Sequence, residues 1–533
     1  MASLLSHLNP TPFFPPHTGP YKVGTIDVEI PTSDLQSPAP APDPSVSTIQ
    51  FRIFYPCEPP KTKPKHVYWL PDPQREYLGA YARFLGAGIK LSELFSFLPR
   101  LLYYVTIPAL RHAPLAIPPT KAKRWPVMVF SHGLGGSRNA YSHITGSLAS
   151  HGVVVVAPEH RDGSGPIAFI READGRQTRA VDYVAIPHSN SGEVLDARDK
   201  QLKIRLWEMG LVHDALLKMD RGEELHNFAA DSSPKPGNSE GDLAMFASNL
   251  DVHTPGSIAW SGHSFGAATI IQFIKSVFYT RAPPSRDYKP LYIPSANSSI
   301  VRQITPSTHI TLLDLWVMPL RSRTTRWLWD QPLPCYSPGG PGGSNLLAIL
   351  SEAFFKWESN LNYLKRAVSE SPSRERSSSR SASRMAPPHI FYPVSSAHLS
   401  QSDFGVLFPW LTKKAFKAVE PERTLRLNVR AILEVMRVNG TEVGDTSSVD
   451  MEEEVKSKHT LANGHANGHV HGSVGNLATS LGQDHKILAA DGSVRGWVAL
   501  SVDGETHAGE ASNKSTQAAA DPKEAVMSGE AMS

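Results

Sequence analysis

A serine framed by two glycines, Gly262-His263-Ser264-Phe265-Gly266, is the segment of this chain with the most chemistry in it. It follows the apolar run Ser257-Ile258-Ala259-Trp260 and leads into Ala267-Ala268-Thr269-Ile270-Ile271-Gln272-Phe273-Ile274. Strand, sharp turn and helix form the setting in which a G-x-S-x-G serine becomes a nucleophile. The small residues let strand and helix cross closely, so the serine takes a strained backbone conformation and lifts its hydroxyl above the sheet. Gly and Ser are common, and the five-residue pattern alone arises by chance in long proteins. Its weight here comes from its flanks and from the partners found along the chain.

A serine hydroxyl is a poor nucleophile at neutral pH. It needs a base within hydrogen-bond reach and a carboxylate that fixes the tautomer of that base. The expected chain order is Ser, then Asp or Glu, then His, each just past a strand. Asp314 ends the strand-like HITLLD, and His398 lies in the loop SSAH after the strand-like HIFYPV. Asp287, Asp330 and Glu352 also follow the serine, but none of them ends an apolar run. His309 and His389 begin strands and so belong at the opposite sheet edge from the nucleophile. The competing reading of His398 is a loop histidine that caps a helix starting near Asp403.

The charge that develops on a carbonyl oxygen during acyl transfer needs two backbone N–H donors. One is expected from Phe265, the residue after the nucleophile. The other is assigned to Leu134, in the loop Ser131-His132-Gly133-Leu134-Gly135-Gly136 that follows the strand Pro126-Val127-Met128-Val129-Phe130. A simple tight turn is the alternative for that loop. This chemistry calls for no metal and no cofactor.

These groups need a scaffold. Strands are predicted over Tyr21–Ile30, Thr48–Tyr55, His66–Leu70, Val127–Phe130, Val153–Ala157, Ser257–Trp260, His309–Leu313 and His389–Val394. The later ones are short, continuous and apolar, as strands buried on both faces of a parallel sheet should be. Helical patterns lie between them. One is Arg138–Ser150 with Ser137 as N-cap. Another is Glu193–Met219, whose Leu195, Leu202, Leu206, Met209, Val212 and Leu216 form one stripe with Asp, Lys and Arg opposite. Strands alternating with helices after an antiparallel-looking start give an α/β fold, a mostly parallel sheet with helices on both faces and right-handed crossovers.

The chain has 533 residues, of which 40% are hydrophobic, enough for a substantial core. Its net charge is +3, and no basic stripe with interleaved aromatics is present, so nucleic acid is not an expected partner. Cys57 and Cys335 are the only two cysteines and lie far apart, which excludes a disulfide framework and favours a reducing compartment. The opening MASLLSHLNPTPFFPPHTGP has no basic start followed by an apolar h-region, and no run reaches eighteen apolar residues. A cytoplasmic protein, at most peripheral to membranes, is the expectation.

Residues 1–18 are expected to be flexible, 19–440 to form the catalytic domain, and 441–533 to be a low-complexity, mostly disordered tail. Insertions are placed near 229–245, 280–307 and 369–388. The last carries SESPSRERSSSRSASR, whose alternating hydroxyls and guanidinium groups suit either phosphorylation or solvated filler. In the tail, His465, His469 and His471 sit in a Gly/Asn setting that offers a metal no rigid scaffold. Lys486–Val502 has two apolar runs around glycine and is read as a hairpin docked on the body.

Together the segments FSHGLGGSRNAYS, LASHGVVVVAPEHRDGSG, GHSFGAATIIQ, LLDLWVMPL and SSAHLSQSDF resemble platelet-activating factor acetylhydrolases of the plasma-type and intracellular type II group. GPYKVGTIDVEI and FRIFYPC are similar to the start of that family, so the resemblance spans about Gly19 to Gly440. It implies the α/β-hydrolase fold and a calcium-independent phospholipase A2 that removes acetyl and other short or oxidised acyl chains from the sn-2 position of glycerophospholipids. It also implies Ser264, Asp314 and His398 as triad, with Leu134 and Phe265 as oxyanion donors. Two other readings stand beside it: a hydrolase of a soluble ester, lactone or polyester, and an inactive scaffold that binds partners. Leu91–Leu110, apolar but carrying Glu93, Pro99 and Arg100, reads either as a surface element that meets lipid headgroups or as a helix packed on the sheet.

Overall fold

Ten-residue strands open the fold, β1 (Lys22–Pro31) and β2 (Thr48–Cys57), paired antiparallel along their whole length. This computed structural model describes residues 12–59, 65–86, 100–172, 174–229, 243–281, 288–373, 385–451, 484–489 and 491–502. The strands that follow are β3 (His66–Tyr68), β4 (Thr106–Arg111), β5 (Trp125–Ser131) and β6 (Val154–Glu159). Next come the hairpin β7 (Ile167–Arg171) and β8 (Thr178–Asp182), then the two-residue β9 (Leu250–Asp251). Last are β10 (Ala259–His263), β11 (Ile310–Leu313), β12 (Leu346–Ile349), β13 (His389–Pro393) and β14 (Trp497–Ala499).

The main sheet runs β14-β13-β12-β11-β10-β5-β6-β2-β1-β4-β3, with β9 beside β5. From β6 through β5, β10, β11 and β12 to β13 every pairing is parallel. The antiparallel pairs lie towards the two ends, where β2 meets β1 and β6, β3 meets β4, and β14 meets β13. Short crossovers in the parallel part put the C-terminal ends of β5, β10, β11 and β13 on one edge, where ligands bind in such sheets.

Two hydrophobic layers sandwich the sheet. One contains α3 (Gly192–Arg221) and α4 (Phe265–Phe278), and the other contains α2 (Ser142–Ser150) and α6 (Pro421–Val438). A third cluster joins α1 (Gln74–Phe84) to β4 and to Leu407, near α5 (Pro409–Phe416). The strand predictions hold at all eight positions, with ends shifted by a few residues. β4, β7, β8, β9, β12 and β14 were not among them.

Several expectations need correction. The Arg138–Ser150 helix begins only at Ser142, and Ser137 does not cap it. Ser137 instead faces the Tyr81 hydroxyl at 3.3 Å, and the amides of Ser142 and His143 are capped from far along the chain by Asp403, at 2.9 Å each. Helix α3 starts at a Ser191 cap and ends at Gly222, in the left-handed region at φ 69°. Much of its polar face is buried, with Arg198, Arg205, Glu208, His213 and Asp220 all inside, while Asp196, Lys200 and Lys203 stay exposed. Within 280–307, Leu291, Tyr292, Ile300 and Ile304 enter the core.

Both chain ends contribute more than expected. Phe14 is buried, and His17 packs against His143 with ring centroids 5.6 Å apart. Lys486–Val502 forms no hairpin: it holds one strand, β14, after a 3-10 turn at His485–Ile487. Trp497 stacks on Phe391 at 5.1 Å, and Asp484 pairs with Arg430 at 2.6 Å. Of Leu91–Leu110, residues 91–99 lie outside the described residues. The rest is a 3-10 turn and β4, which belongs to the sheet rather than to a surface helix. His465, His469 and His471, and most of the Ser/Arg-rich loop, also lie outside the described residues. Among the described residues, no helix is long and apolar enough to cross a membrane.

Candidate active site

Close crossing of β10 and α4 demands glycine on both sides of the serine. A Cβ on Gly262 would lie 2.5 Å from the Gly266 carbonyl carbon, and one on Gly266 would lie 2.0 Å from the Ser131 oxygen. Between them Ser264 sits at φ 56° and ψ −116°, a strained conformation for a residue with a side chain. Its N–H donates to the Leu313 carbonyl at 2.9 Å, which fastens the turn to the end of β11.

Since His263 and Leu313 are register partners, the next residues, Ser264 and Asp314, leave the sheet side by side. Asp314 is also in the left-handed region, at φ 43°, and its N–H donates to the Ile349 carbonyl at 2.8 Å. Its carboxylate is completely buried. One oxygen accepts the Ser351 N–H, and the other lies 2.9 Å from His398 Nδ1. β12, absent from the sequence expectation, therefore leads to two anchors of Asp314: the Ile349 carbonyl accepts its backbone N–H, and the Ser351 N–H just beyond the strand donates to its carboxylate.

His398 opens a short 3-10 turn after β13. Its ring lies between two others, Phe354 at 4.5 Å and nearly parallel, and His263 at 4.3 Å. It does not cap the helix near Asp403, where Ser402 is the N-cap residue. With Nδ1 facing the carboxylate, Nε2 is left for the serine. Among the described residues no hydrogen bond joins Ser264 Oγ to His398. Such contacts are commonly loose without substrate and tighten in the reacting complex.

The loop after β5 rests directly on the serine. A Cβ added to Gly133 would lie 3.0 Å from that of Ser264. Gly135 and Gly136 spend their N–H groups on the carbonyls of Ser164 and Gly133, whereas those of Leu134 and Phe265 donate to no backbone carbonyl among the described residues. Both predicted oxyanion donors thus keep their hydrogens.

Beneath this loop lies a layer that sequence reasoning missed. Arg205 of α3 donates to the His132 carbonyl at 2.8 Å, pairs with Asp162 at 2.7 Å, and places its guanidinium 4.5 Å above the Phe265 ring. One buried cation therefore braces both oxyanion segments. Glu208, one turn later, faces His160 at 2.7 Å, and His160 in turn faces Ser131 Oγ at 2.9 Å. Burial pushes the Glu208 carboxyl up to about 8 and His160 well below its ordinary value, so this pair is held neutral.

The competing groups are engaged elsewhere. Asp330 pairs with Arg326 and Arg366, and Glu352 pairs with Lys356. Asp287 lies outside the described residues. Burial, then His389, lowers His309 to about 4 at the far edge of the sheet, where His309 bonds Thr311 Oγ1 at 3.0 Å.

Comparison with known proteins follows the same lines. A family model described as "Platelet-activating factor acetylhydrolase, isoform II" matches residues 8–457. A Schizosaccharomyces pombe protein named "Putative phospholipase A2" is 26% identical over 450 residues, 80% of this chain and 92% of that protein. A platelet-activating factor acetylhydrolase of Cavia porcellus is 30% identical over 262 residues, 48% of this chain and 51% of that protein. The chain thus spans about half the length of that relative. Among solved structures, a ferulic acid esterase from Streptomyces cinnamoneus superposes with TM-score 0.43 at 14% identity, over 83% of this chain and 98% of that one. Every side chain at the serine edge falls inside the matched 8–457, and the chain belongs to the platelet-activating factor acetylhydrolase, isoform II, family.

Proposed function

We propose that this member of the family is a serine esterase that cleaves the sn-2 acetyl or short or oxidised acyl ester of glycerophospholipids, with Ser264, Asp314 and His398 as its triad. It is a carboxylic ester hydrolase of the α/β-hydrolase fold, acting on phospholipid esters. The observation that carries the triad is the 2.9 Å contact between His398 Nδ1 and Asp314, beside a serine held at positive φ.

The mechanism follows from those parts. Asp314 accepts a hydrogen bond from His398 Nδ1–H, which keeps that proton on Nδ1 and so leaves Nε2 as the base. His398 takes the Ser264 proton as the oxygen attacks the ester carbonyl, and the N–H groups of Leu134 and Phe265 receive the oxyanion. The imidazolium then protonates the lysolipid leaving group. Water repeats the sequence on the acyl-enzyme, and His398 returns the proton to Ser264.

Lipid contact is proposed at a different place from Leu91–Leu110. Trp410 is 67% exposed on α5, a short helix that follows the His398 turn and carries Lys413 and Lys414 in its last turn. An exposed indole with nearby lysines suits the headgroup region of a bilayer.

A fluorophosphonate probe tests the proposal. It is expected to label Ser264 in the parent and nothing in Ser264→Ala, and the variant should lose hydrolysis of both p-nitrophenyl acetate and sn-2 acetyl phospholipid. Equal rates in parent and variant would sink the triad. Faster turnover of a soluble ester than of any phospholipid would leave the triad standing and remove the lipid.

A further inference from the structure

His263 is the variable residue of the G-x-S-x-G turn, yet it is buried among the reacting groups. Its Nδ1 lies 2.8 Å from the Tyr141 hydroxyl, and its Nε2 lies 4.0 Å from Asp314 Oδ2. Tyr141 in turn accepts the Gly133 N–H at 3.1 Å. The ring nitrogens of His263 and His398 and an Asp314 oxygen all lie within 4.8 Å of one another.

One order of donors and acceptors in this row gives the Tyr141 hydrogen an acceptor among its described partners. Gly133 N–H can only donate, so the Tyr141 oxygen accepts from it and directs its own hydrogen to His263 Nδ1. Burial, then the neighbouring His398, holds His263 well below the ordinary histidine range, so its ring is neutral. A neutral ring that accepts at Nδ1 carries its hydrogen on Nε2, the atom nearest the catalytic carboxylate. Among the described residues no acceptor lies within hydrogen-bond reach of that buried N–H, and the Asp314 oxygen at 4.0 Å faces it as the partner of a dipole.

We propose that Tyr141 and His263 are positioning residues: a row of ordered hydrogens that links the oxyanion loop, through Gly133, to the catalytic carboxylate of Asp314. The proposal rests on the triad reading above. The row has two consequences. It locks His263 in the neutral tautomer, so that no second cation stands 4.3 Å from His398 when that ring becomes an imidazolium. It also sets an N–H dipole beside Oδ2, next to the bond that orients the base.

Tyr141→Phe removes a single oxygen and is the direct test, read against Ser264 labelling so that rates are counted per competent site. Misplacement of this kind costs up to about 10²-fold, so kcat per labelled site is expected to fall roughly tenfold with KM nearly unchanged. The acid limb of the kcat/KM profile should move, because His263, whose ring stands 4.3 Å from His398, loses the hydrogen that holds its tautomer. His263→Phe keeps the ring stack and loses both nitrogens, whereas His263→Gln restores an amide that accepts from Tyr141. His263→Gln should therefore exceed His263→Phe. Parent-like kcat and pH profile in Tyr141→Phe and His263→Phe would overturn the proposal, as would lowered thermal stability with unchanged kcat per labelled site. If Ser264→Ala itself stays active and unlabelled, the triad reading has failed instead.

Discussion

Strain at single residues marks the chemistry. Ser264 and Asp314 both hold positive φ without being glycine, and each is pinned by a backbone bond to the neighbouring strand. Asp314→Asn should keep the serine in place yet cut kcat by on the order of 10⁴, because the amide favours the wrong tautomer of the base; steady-state kinetics beside probe labelling would show it. Gly266→Ala should yield protein that labels poorly or fails to fold, since its Cβ meets the Ser131 carbonyl at 2.0 Å. The three residues proposed as the triad were picked out because each follows a recognisable apolar run, and chain order did the sorting. Tyr141, Phe354 and Ser351 were not, since nothing local distinguishes a residue that touches the site only through long-range folding. His263 stood inside the motif but at its variable position.

At the scale of elements, α3 departs furthest from the sequence expectation. Periodicity placed its charges opposite the apolar stripe, but the packed helix buries several of them, and Arg205 serves as the brace under the loop after β5. Arg205→Met leaves Asp162 buried and unpaired, which should cost about 3–5 kcal/mol, measurable by urea denaturation. Strand β12 escaped notice because Leu346–Ile349 is only four residues long and follows a Gly/Pro-rich stretch. Helix α5 was overlooked in favour of Leu91–Leu110, whose apolar run turned out to include a sheet strand. Trp410→Ala should weaken activity on phospholipid vesicles while leaving hydrolysis of monomeric p-nitrophenyl acetate at the parent rate. A sedimentation assay with vesicles would tell whether binding is the step lost.

Across the whole molecule, buried neutral histidines set a pH limit. Burial lowers His143 and His309 to about 4 and His132 and His213 to about 3, from an ordinary 6.5. A folded-state value below the unfolded one means that stability is fully present above about pH 6.5 and is withdrawn as the pH falls towards 4. Glu208, raised to about 8, acts in the opposite sense, favouring the fold at low pH and losing that contribution as the pH rises through 8. Burial raises Asp403 to about 6, in the same sense as Glu208, and lowers His188 to about 4 beside the other four histidines; five such bases against two such acids predict a melting temperature that drops between pH 6.5 and 4, which calorimetry in matched buffers would record. The α/β architecture itself was readable from alternating strands and helices, and the docking of Lys486–Val502 from its apolar runs, but the hairpin expected there is a single strand, β14, whose partner is the distant β13. Strand β14 stands beyond residue 457, where the family match stops, and among the described residues it is the strand that covers the outer side of β13. A ribosome must release residues 497–499 before that lane of backbone is occupied, so nascent or proteolytically clipped copies would present a bare margin, the kind of edge on which strands of other chains add.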